Sequence, residues 1–374
     1  MHDEAAMTVA LSVADRSRRI APPWPHVGCA IVAEGTVVGT GATDAYHQGR
    51  HAERNALAAA GDRARGATMY TTLEPCCHYG NQPPCTDAII AAGIVRVVTA
   101  LVDPDHHVAG QGFAALRAAG IVVDVGVHDL AAQRQLGAYL HHRRTGRSAC
   151  VVKTANSIDG YVAAADGSSQ WITGPAARRN VHALRADSQA IVVGAGTALA
   201  DQPSLTVREL PVDDDIACGE APLRVLLDAH GRVPAVGPLF DASLAATLVI
   251  STERADATRV TEWNDAGAEV VFVNFASATT GRGVDLVETL SLLGERSVLQ
   301  AMIEGGAALH GALLVEDLVD QLTIYLGNTL LGSHGLPTLA HDGPPSIDEA
   351  RRWQLVDVVR LDDDVRLDYR RDRN

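Results

Sequence analysis

The chain has almost no lysine. Of its 31 basic residues only Lys153 is lysine, and the rest are arginine. It also lacks an excess of positive charge, since 45 acidic residues leave a net charge of -14. Phosphate backbones and anionic membrane surfaces want a basic face, so a nucleic-acid binder and a membrane-surface protein are disfavoured. A small phosphorylated ligand needs only a few local cations and stays open. Aromatic residues make up 4%, and no basic stripe interleaved with aromatics offers bases a stacking platform. Long apolar runs are missing too. The first twenty residues are broken by Asp3, Glu4, Asp15 and several arginines. Neither a secretory leader nor a membrane span is expected, which points to a cytoplasmic location. A disulfide framework is equally absent. Of six cysteines, Cys76, Cys77 and Cys85 crowd one segment beside histidines, while Cys29, Cys150 and Cys218 are scattered. In a chain of 374 residues that pattern favours metal binding in a reducing compartment.

What is present suits packed domains: 47% apolar and 20% charged residues. The length makes two domains the natural expectation. Strand-like and helix-like segments alternate, which argues for layered α/β architecture. Gly28–Ala33 and Val37–Val38 read as a hairpin, Ala52–Ala60 as a helix ended by Gly61, and Thr68–Leu73 as a strand. Cys85–Ala92 reads as a helix stopped by Gly93, Ile94–Leu101 as a buried strand, Phe113–Ala119 as a helix and Ile121–Val125 as a strand. After the helix Leu130–Leu140, the polar and basic stretch His141–Ser148 reads as a linker. It divides residues 1–145 from residues 146–374. Alternation restarts with strands at Ala149–Thr154, Ile191–Gly194, Leu223–Asp228, Leu248–Ser251, Val270–Val273 and Leu299–Glu304.

The chemistry concentrates in two strings, His51-Ala52-Glu53 and Pro75-Cys76 with Cys85 beyond. One imidazole and two thiolates give zinc three protein ligands and leave a position open for water, as catalytic zinc requires. Glu53 follows His51 by two residues at a helix start. It can shuttle a proton between that water and a departing amine without ligating the metal. Cys85 opens a helix after Pro83-Pro84, and a helix N-terminus favours thiolate. His78 is a rival ligand, and a closed structural zinc knot is the alternative to a catalytic site. That alternative would show a fourth ligand and leave Glu53 idle.

Around these residues the chain resembles the bifunctional deaminase/reductase family of riboflavin biosynthesis. Thr72-Leu73-Glu74-Pro75-Cys76-Cys77-His78-Tyr79-Gly80, followed by Pro83-Pro84-Cys85, is similar to that family's zinc loop, with its wide cysteine spacing. Lys153-Thr154-Ala155-Asn156-Ser157-Ile158-Asp159-Gly160 is similar to the start of its reductase domain. Ser169-Gln170-Trp171-Ile172-Thr173, Arg185, Gly196-Thr197, Asp201, Leu205-Thr206-Val207-Arg208 and Glu304-Gly305-Gly306 follow in order. The resemblance implies a cytidine-deaminase-like three-layer sandwich followed by a dihydrofolate-reductase-like domain. It implies zinc on His51, Cys76 and Cys85, with Glu53 as proton donor. It implies NADPH near Ala155, Trp171, Thr197, Asp201, Gly305 and Gly306. The substrate, a pyrimidine ribose phosphate, would meet Ser169, Arg185, Leu205, Arg208 and Glu304. A homo-oligomer is also expected. In two places the chain departs from the family. Pro23-Trp24-Pro25 stands where Pro-Asn-Pro is usual, and the segment from His47 to His51 is short.

Read physically, Gly305-Gly306 and Gly194-Ala195-Gly196-Thr197 each follow a strand and could bring backbone N–H groups to a diphosphate. Arg185 and Arg208 are candidate phosphate clamps. Glu304 could orient sugar hydroxyls. Trp171, without the resemblance, would read as core. Lys153, in the same motif as Asp159, would aim its ammonium at the sugar oxygen and steady charge created by hydride transfer. Three other readings stand beside this one. They are a nucleic-acid base deaminase, a reductase joined to a degenerate deaminase module, and a paralogue in a related pyrimidine-derived pathway.

Overall fold

The structure, a computed structural model, describes residues 1–46, 49–80, 82–212, 214–276, 283–340 and 343–371. It divides into two compact units. One comprises Met1–Gly146 with Asp215–Glu220, the other Arg147–Asp214 with Ala221–Asn374. The six-residue piece Asp215–Glu220 departs from a division into two continuous stretches. It is tied to the first unit by Arg19, whose guanidinium donates to the Ile216 carbonyl at 3.3 Å.

The first unit runs α1 (Asp3–Ala14), β1 (Gly28–Ala33), β2 (Thr36–Ala42), α2 (Ala52–Ala60), β3 (Thr68–Thr71), α3 (Cys85–Ala92), β4 (Arg96–Thr99), α4 (Gln111–Ala118), β5 (Val122–Val125), α5 (Asp129–Gln135) and α6 (Gly137–Thr145). Its sheet has the order β2-β1-β3-β4-β5. The β1–β2 and β1–β3 pairs are antiparallel and the rest parallel. Successive side chains on a strand face opposite sides. At Gly28 a Cβ would lie 1.9 Å from the Ala10 carbonyl of α1. At Gly41, which pairs with the next residue Cys29, it would lie 2.4 Å from the Ala52 carbonyl of α2. Helices therefore cover both faces, giving three layers, and the missing side chain at Gly41 lets the start of α2 sit directly on the sheet.

Two expectations need correction here. The helix read as Leu130–Leu140 is two helices, broken at Leu136. The stretch His141–Ser148 is no open linker, because α6 continues to Thr145. Its basic residues His142, Arg143 and Arg144 fall in the last helical turn, where cations favour the negative end of the helix dipole.

The second unit runs β6 (Ala149–Asn156), β7 (Tyr161–Ala163), α7 (Pro175–Ala186), β8 (Ala190–Gly194), α8 (Ala195–Asp201), β9 (Leu223–Leu227), β10 (Thr247–Ser251), α9 (Ala257–Asp265), β11 (Glu269–Phe272), α10 (Leu286–Glu295), β12 (Gln300–Ile303), α11 (Ala307–Val315), β13 (Gln321–Leu326), β14 (Leu336–Pro337), β15 (Gln354–Leu361) and β16 (Asp364–Arg370). The large sheet has the order β11-β10-β9-β8-β12-β6-β13-β16-β15. It is parallel from β11 to β13, and the β13–β16 and β15–β16 pairs are antiparallel.

The apolar runs of the parallel strands feed two cores. Ala190, Val192, Val225, Leu227, Leu248 and Ile250 pack with Leu286, Leu290 and Leu293 of α10. Their neighbours Ile191, Val193, Leu226 and Val249 pack on the other face with Ala198 of α8 and Trp263 of α9. Continuous rather than alternating hydrophobicity is what a parallel sheet covered on both sides demands. The residues that follow β8, β9 and β12 collect at the carboxyl ends of these strands, where open α/β sheets bind ligands.

Candidate active sites

In the first unit, two helix starts converge. His51 precedes α2 and Cys85 opens α3. Arg54, on the first turn of α2, donates to the carbonyls of Pro83 at 2.8 Å and Pro84 at 3.0 Å. That ties the approach to Cys85 onto the helix carrying Glu53. The loop bearing Cys76 is pinned from the other side. Buried Glu74 accepts backbone N–H bonds from Asp103, Gly110 and Phe113 at 3.3, 3.0 and 3.2 Å. At Gly112 a Cβ would stand 2.2 Å from the Pro75 carbonyl, so only glycine lets α4 approach this loop so closely.

The result is a three-donor cluster. His51 Nδ1 lies 3.4 Å from Cys76 Sγ and 3.4 Å from Cys85 Sγ, and all three donor atoms lie within 4.8 Å of one another. Tetrahedral zinc with ordinary Zn–N and Zn–S lengths would set N and S about 3.5 Å apart. The donor set therefore fits the metal. Cys76 is held well below the usual thiol range, chiefly by a hydrogen bond from Cys85 and then by His51. That same bond, with burial, pushes Cys85 up. One thiolate thus keeps the other thiol protonated, and zinc binding would release that proton. Burial opposes protonation of His51, but its bond to Cys76 and the nearby Glu53 and Cys76 charges raise it.

Glu53 is 4% exposed and lies 3.5 Å from Cys85 Sγ. Burial raises its carboxyl, against an opposing effect from His51. Trp24 stands beside the cluster, edge-on to His51 with ring centroids 5.5 Å apart and to Tyr46 at 5.0 Å. His47 and Gln48, in the shortened segment, lie outside the described residues. His78 does not join the ligand atoms. It turns toward His107, with ring centroids 5.7 Å apart. One other cluster of ligand-type groups occurs among the described residues, Asp105-His106-His107. It is largely solvent-exposed, and Arg143 already pairs with Asp105 at 3.3 Å.

In the second unit, a cavity of about 1200 Å³ opens along the carboxyl ends of the strands. Lys153, Ala155, Ser169, Trp171, Arg185, Thr197, Asp201, Leu205, Arg208, Glu304, Gly305 and Gly306 all line it. Among its lining residues, Glu304 and Arg185 form a two-armed pair of 2.5 and 2.8 Å. Their side chains are 12% and 11% exposed, so water screens the pair little. Burial works against the Glu304 charge, but Arg185, then Lys153, bring its carboxyl down to about 2. Burial lowers Lys153, with Arg185 acting the same way and Glu304 and Asp201 opposing. Burial raises Asp201, against Lys153.

Two sequence readings change. The fork of Arg185, expected to clamp phosphate, is taken by Glu304 and by the Thr206 carbonyl at 2.9 Å. A left-handed backbone at Leu205 (φ 50°) turns the loop just before that carbonyl. Asp159, in the same motif as Lys153, accepts backbone N–H bonds from Leu331 and Gly332 and a hydroxyl from Ser157. Trp171 is not core but 68% exposed at the cavity wall, with the Arg178 guanidinium 4.5 Å from its ring centroid.

The sequence reading also missed residues. Arg178 and His182 line the cavity on α7 with Arg185. Their spacing of four and three residues on one helical face was the available signal. Burial, with Arg185 and Arg208 nearby, lowers His182 to about 4.

Fold and sites together define a two-unit enzyme of deaminase-plus-reductase class. Residues 1–101 match the cytidine and deoxycytidylate deaminase zinc-binding region, and residues 149–367 match the RibD C-terminal domain. The riboflavin biosynthesis protein RibD of Escherichia coli K12 is 39% identical over 378 residues, covering 98% of this chain and 99% of that protein. RibD of Chlamydia trachomatis serovar D is 40% identical over 363 residues, covering 96% and 93%. The Acinetobacter baumannii RibD structure superposes with a TM-score of 0.86 at 36% identity, covering 98% of both chains. The chain belongs to the RibD family, the bifunctional deaminase/reductases of riboflavin biosynthesis, with zinc and NADPH as cofactors. A deaminase unit reduced to a binding module is not favoured, since the zinc-binding match and the three-donor cluster are both present. No helix among the described residues is long and apolar enough to cross a membrane.

Proposed function

We propose that residues 1–145 remove an amino group by hydrolysis from a diaminopyrimidinone ribose phosphate. Residues 146–374 then reduce the ribosyl group of the product to ribityl with NADPH. The observation that carries this reading is the meeting of His51, Cys76 and Cys85 beside buried Glu53. Those three residues would hold zinc, which supplies the Lewis acidity that makes water nucleophilic near neutral pH. Glu53, its carboxyl raised by burial, takes the proton of the attacking water on a carboxylate oxygen and passes it to the departing amine. Trp24, edge-on to His51, replaces an amide side chain with an apolar wall for the pyrimidine.

In the reductase unit, Gly305, Gly306 and Thr197 would take the cofactor diphosphate at the start of α11. Ala155, Trp171 and Asp201 would line the rest of the cofactor path. NADPH supplies the hydride. Lys153 turns its ammonium to the sugar oxygen and gives up a proton there, which burial makes easier. Glu304 receives sugar hydroxyls and fixes Arg185. Ser169, Leu205 and Arg208 complete the substrate side. Arg208 has the freer guanidinium of the two candidate clamps, bound to Ser204 and Thr206 hydroxyls rather than to a carboxylate. A homo-oligomer in the cytoplasm completes the reading.

The test is an assay of the diaminopyrimidinone phosphate with zinc-loaded enzyme, following ammonia and NADPH oxidation separately. Ammonia release without NADPH, and NADPH oxidation once ammonia has formed, are expected. Oxidation with no ammonia would leave only the reductase half standing.

A further inference from the structure

Two loops of the deaminase unit carry imidazoles that the zinc cluster does not use. His78 lies two residues past Cys76. His106 and His107 follow β4, on a segment that Glu74 holds through the N–H groups of Asp103 and Gly110. The backbone there is fixed. Asp103 accepts the Asp105 N–H at 2.9 Å, and Asp105 accepts the His107 N–H at 3.0 Å. The Cys77 thiol donates to the His107 carbonyl at 3.6 Å, which joins the two loops. The rings themselves are uncommitted. Among the described residues, no ring nitrogen of His78, His106 or His107 has a hydrogen-bond partner. His107 stands between the other two, with ring centroids 3.8 Å from His106 and 5.7 Å from His78. His106 Nδ1 approaches Asp105 Oδ1 at 3.7 Å, while Arg143 takes the other carboxylate oxygen. The donor atoms of Asp105, His106 and His107 lie within 4.8 Å of one another.

We propose that Asp105, His106 and His107, joined by His78, bind a second divalent metal ion of the zinc, nickel or copper type, apart from the catalytic cluster. Several imidazoles with one carboxylate suit these ions, whereas magnesium and calcium take oxygen donors. Free ring nitrogens on a fixed backbone lower the cost of binding. No ring gives up a hydrogen bond within the protein, and little chain entropy is lost. The site differs from the zinc cluster in two ways that set its character. It holds no thiolate, and it faces solvent, with the His106 side chain 84% exposed. Its ion therefore exchanges with the medium and is held more weakly than one between His51, Cys76 and Cys85. Because His78 comes from one loop and the other ligands from the second, the bound ion ties these loops together.

The experiment uses the zinc-loaded full chain, as wild type and as the His106→Ala/His107→Ala double variant. Both substitutions fall at exposed positions, and the melting temperature checks the fold. After dialysis against added free zinc, wild type should hold about two equivalents per chain and the double variant about one. Cobalt added to the zinc-loaded chain should report the same site by absorption. Wild type should gain the weak visible bands of nitrogen and oxygen ligation, with no near-ultraviolet thiolate band, and the double variant should gain neither. Wild type that holds no metal beyond the first equivalent would overturn the inference. So would a double variant that takes the second equivalent at unchanged affinity. A thiolate band would also overturn it, by placing the ion on cysteine instead.

Discussion

The two sites solve the problem of buried charge in different ways. The deaminase cluster gathers groups that repel or compete for protons until a cation joins them: a thiol pair, an imidazole and a raised carboxyl. The reductase cavity is balanced without any ion, because Arg185 and Lys153 face Glu304 and Asp201. The first site is therefore a machine completed by its metal, and its residues should be tolerated poorly when the metal is gone. The second is preassembled, and its paired charges should matter to stability as well as to turnover.

The largest effect that would sharpen this contrast is on ammonia release. Glu53→Gln should lower it by about a thousandfold, within the range for loss of a positioned acid–base group. Zinc content by metal analysis should stay unchanged, since Glu53 is not among the clustered donors. Metal-free protein with intact ammonia release would break the comparison at its root.

Lys153→Arg comes next. Guanidinium does not give up its proton as ammonium does. Steady-state NADPH oxidation should fall by about a hundredfold while ammonia release is untouched. Full reductase turnover in this variant would remove Lys153 from the chemistry.

Glu304→Gln tests the preassembled charges through stability. It leaves the Arg185 guanidinium buried beside a neutral amide, and breaking such a pair costs about 3 kcal/mol. Denaturant unfolding of the second unit should show that loss, and a change within error would mean that water reaches the pair.

The smallest effect is a pH slope. His310, buried on α11, is depressed from 6.5 to about 4 in the folded chain, chiefly by burial. A lowered histidine contributes stability that is fully present above pH 6.5 and is lost as pH falls toward 4. Between pH 6.5 and 4.5 wild type should lose about 2 kcal/mol more than His310→Leu. Parallel profiles in denaturant would contradict the buried, neutral ring.

The same contrast explains how much could be read in advance. The zinc cluster was legible because its ligand types are chemically unambiguous and sit in two short strings. The helices that follow His51 and open at Cys85 end where Gly61 and Gly93 stop them. The parallel strands were legible from continuous apolar runs. The reductase pairings were not, because Arg185 and Glu304 lie 119 residues apart and only folding makes them partners. The β15–β16 hairpin escaped notice because its strands are rich in charge, as in Asp357, Arg360, Arg366 and Asp368, and mostly unburied.

The central claim is that one chain carries two separable reactions. It is tested most directly by mixing the Glu53→Gln and Lys153→Arg proteins with the diaminopyrimidinone phosphate, zinc and NADPH. Either variant alone should yield almost no ribityl product. The mixture should release ammonia at one protein's zinc site and oxidise NADPH at the other's cavity, restoring the product. A mixture no more productive than its components would contradict two self-sufficient sites.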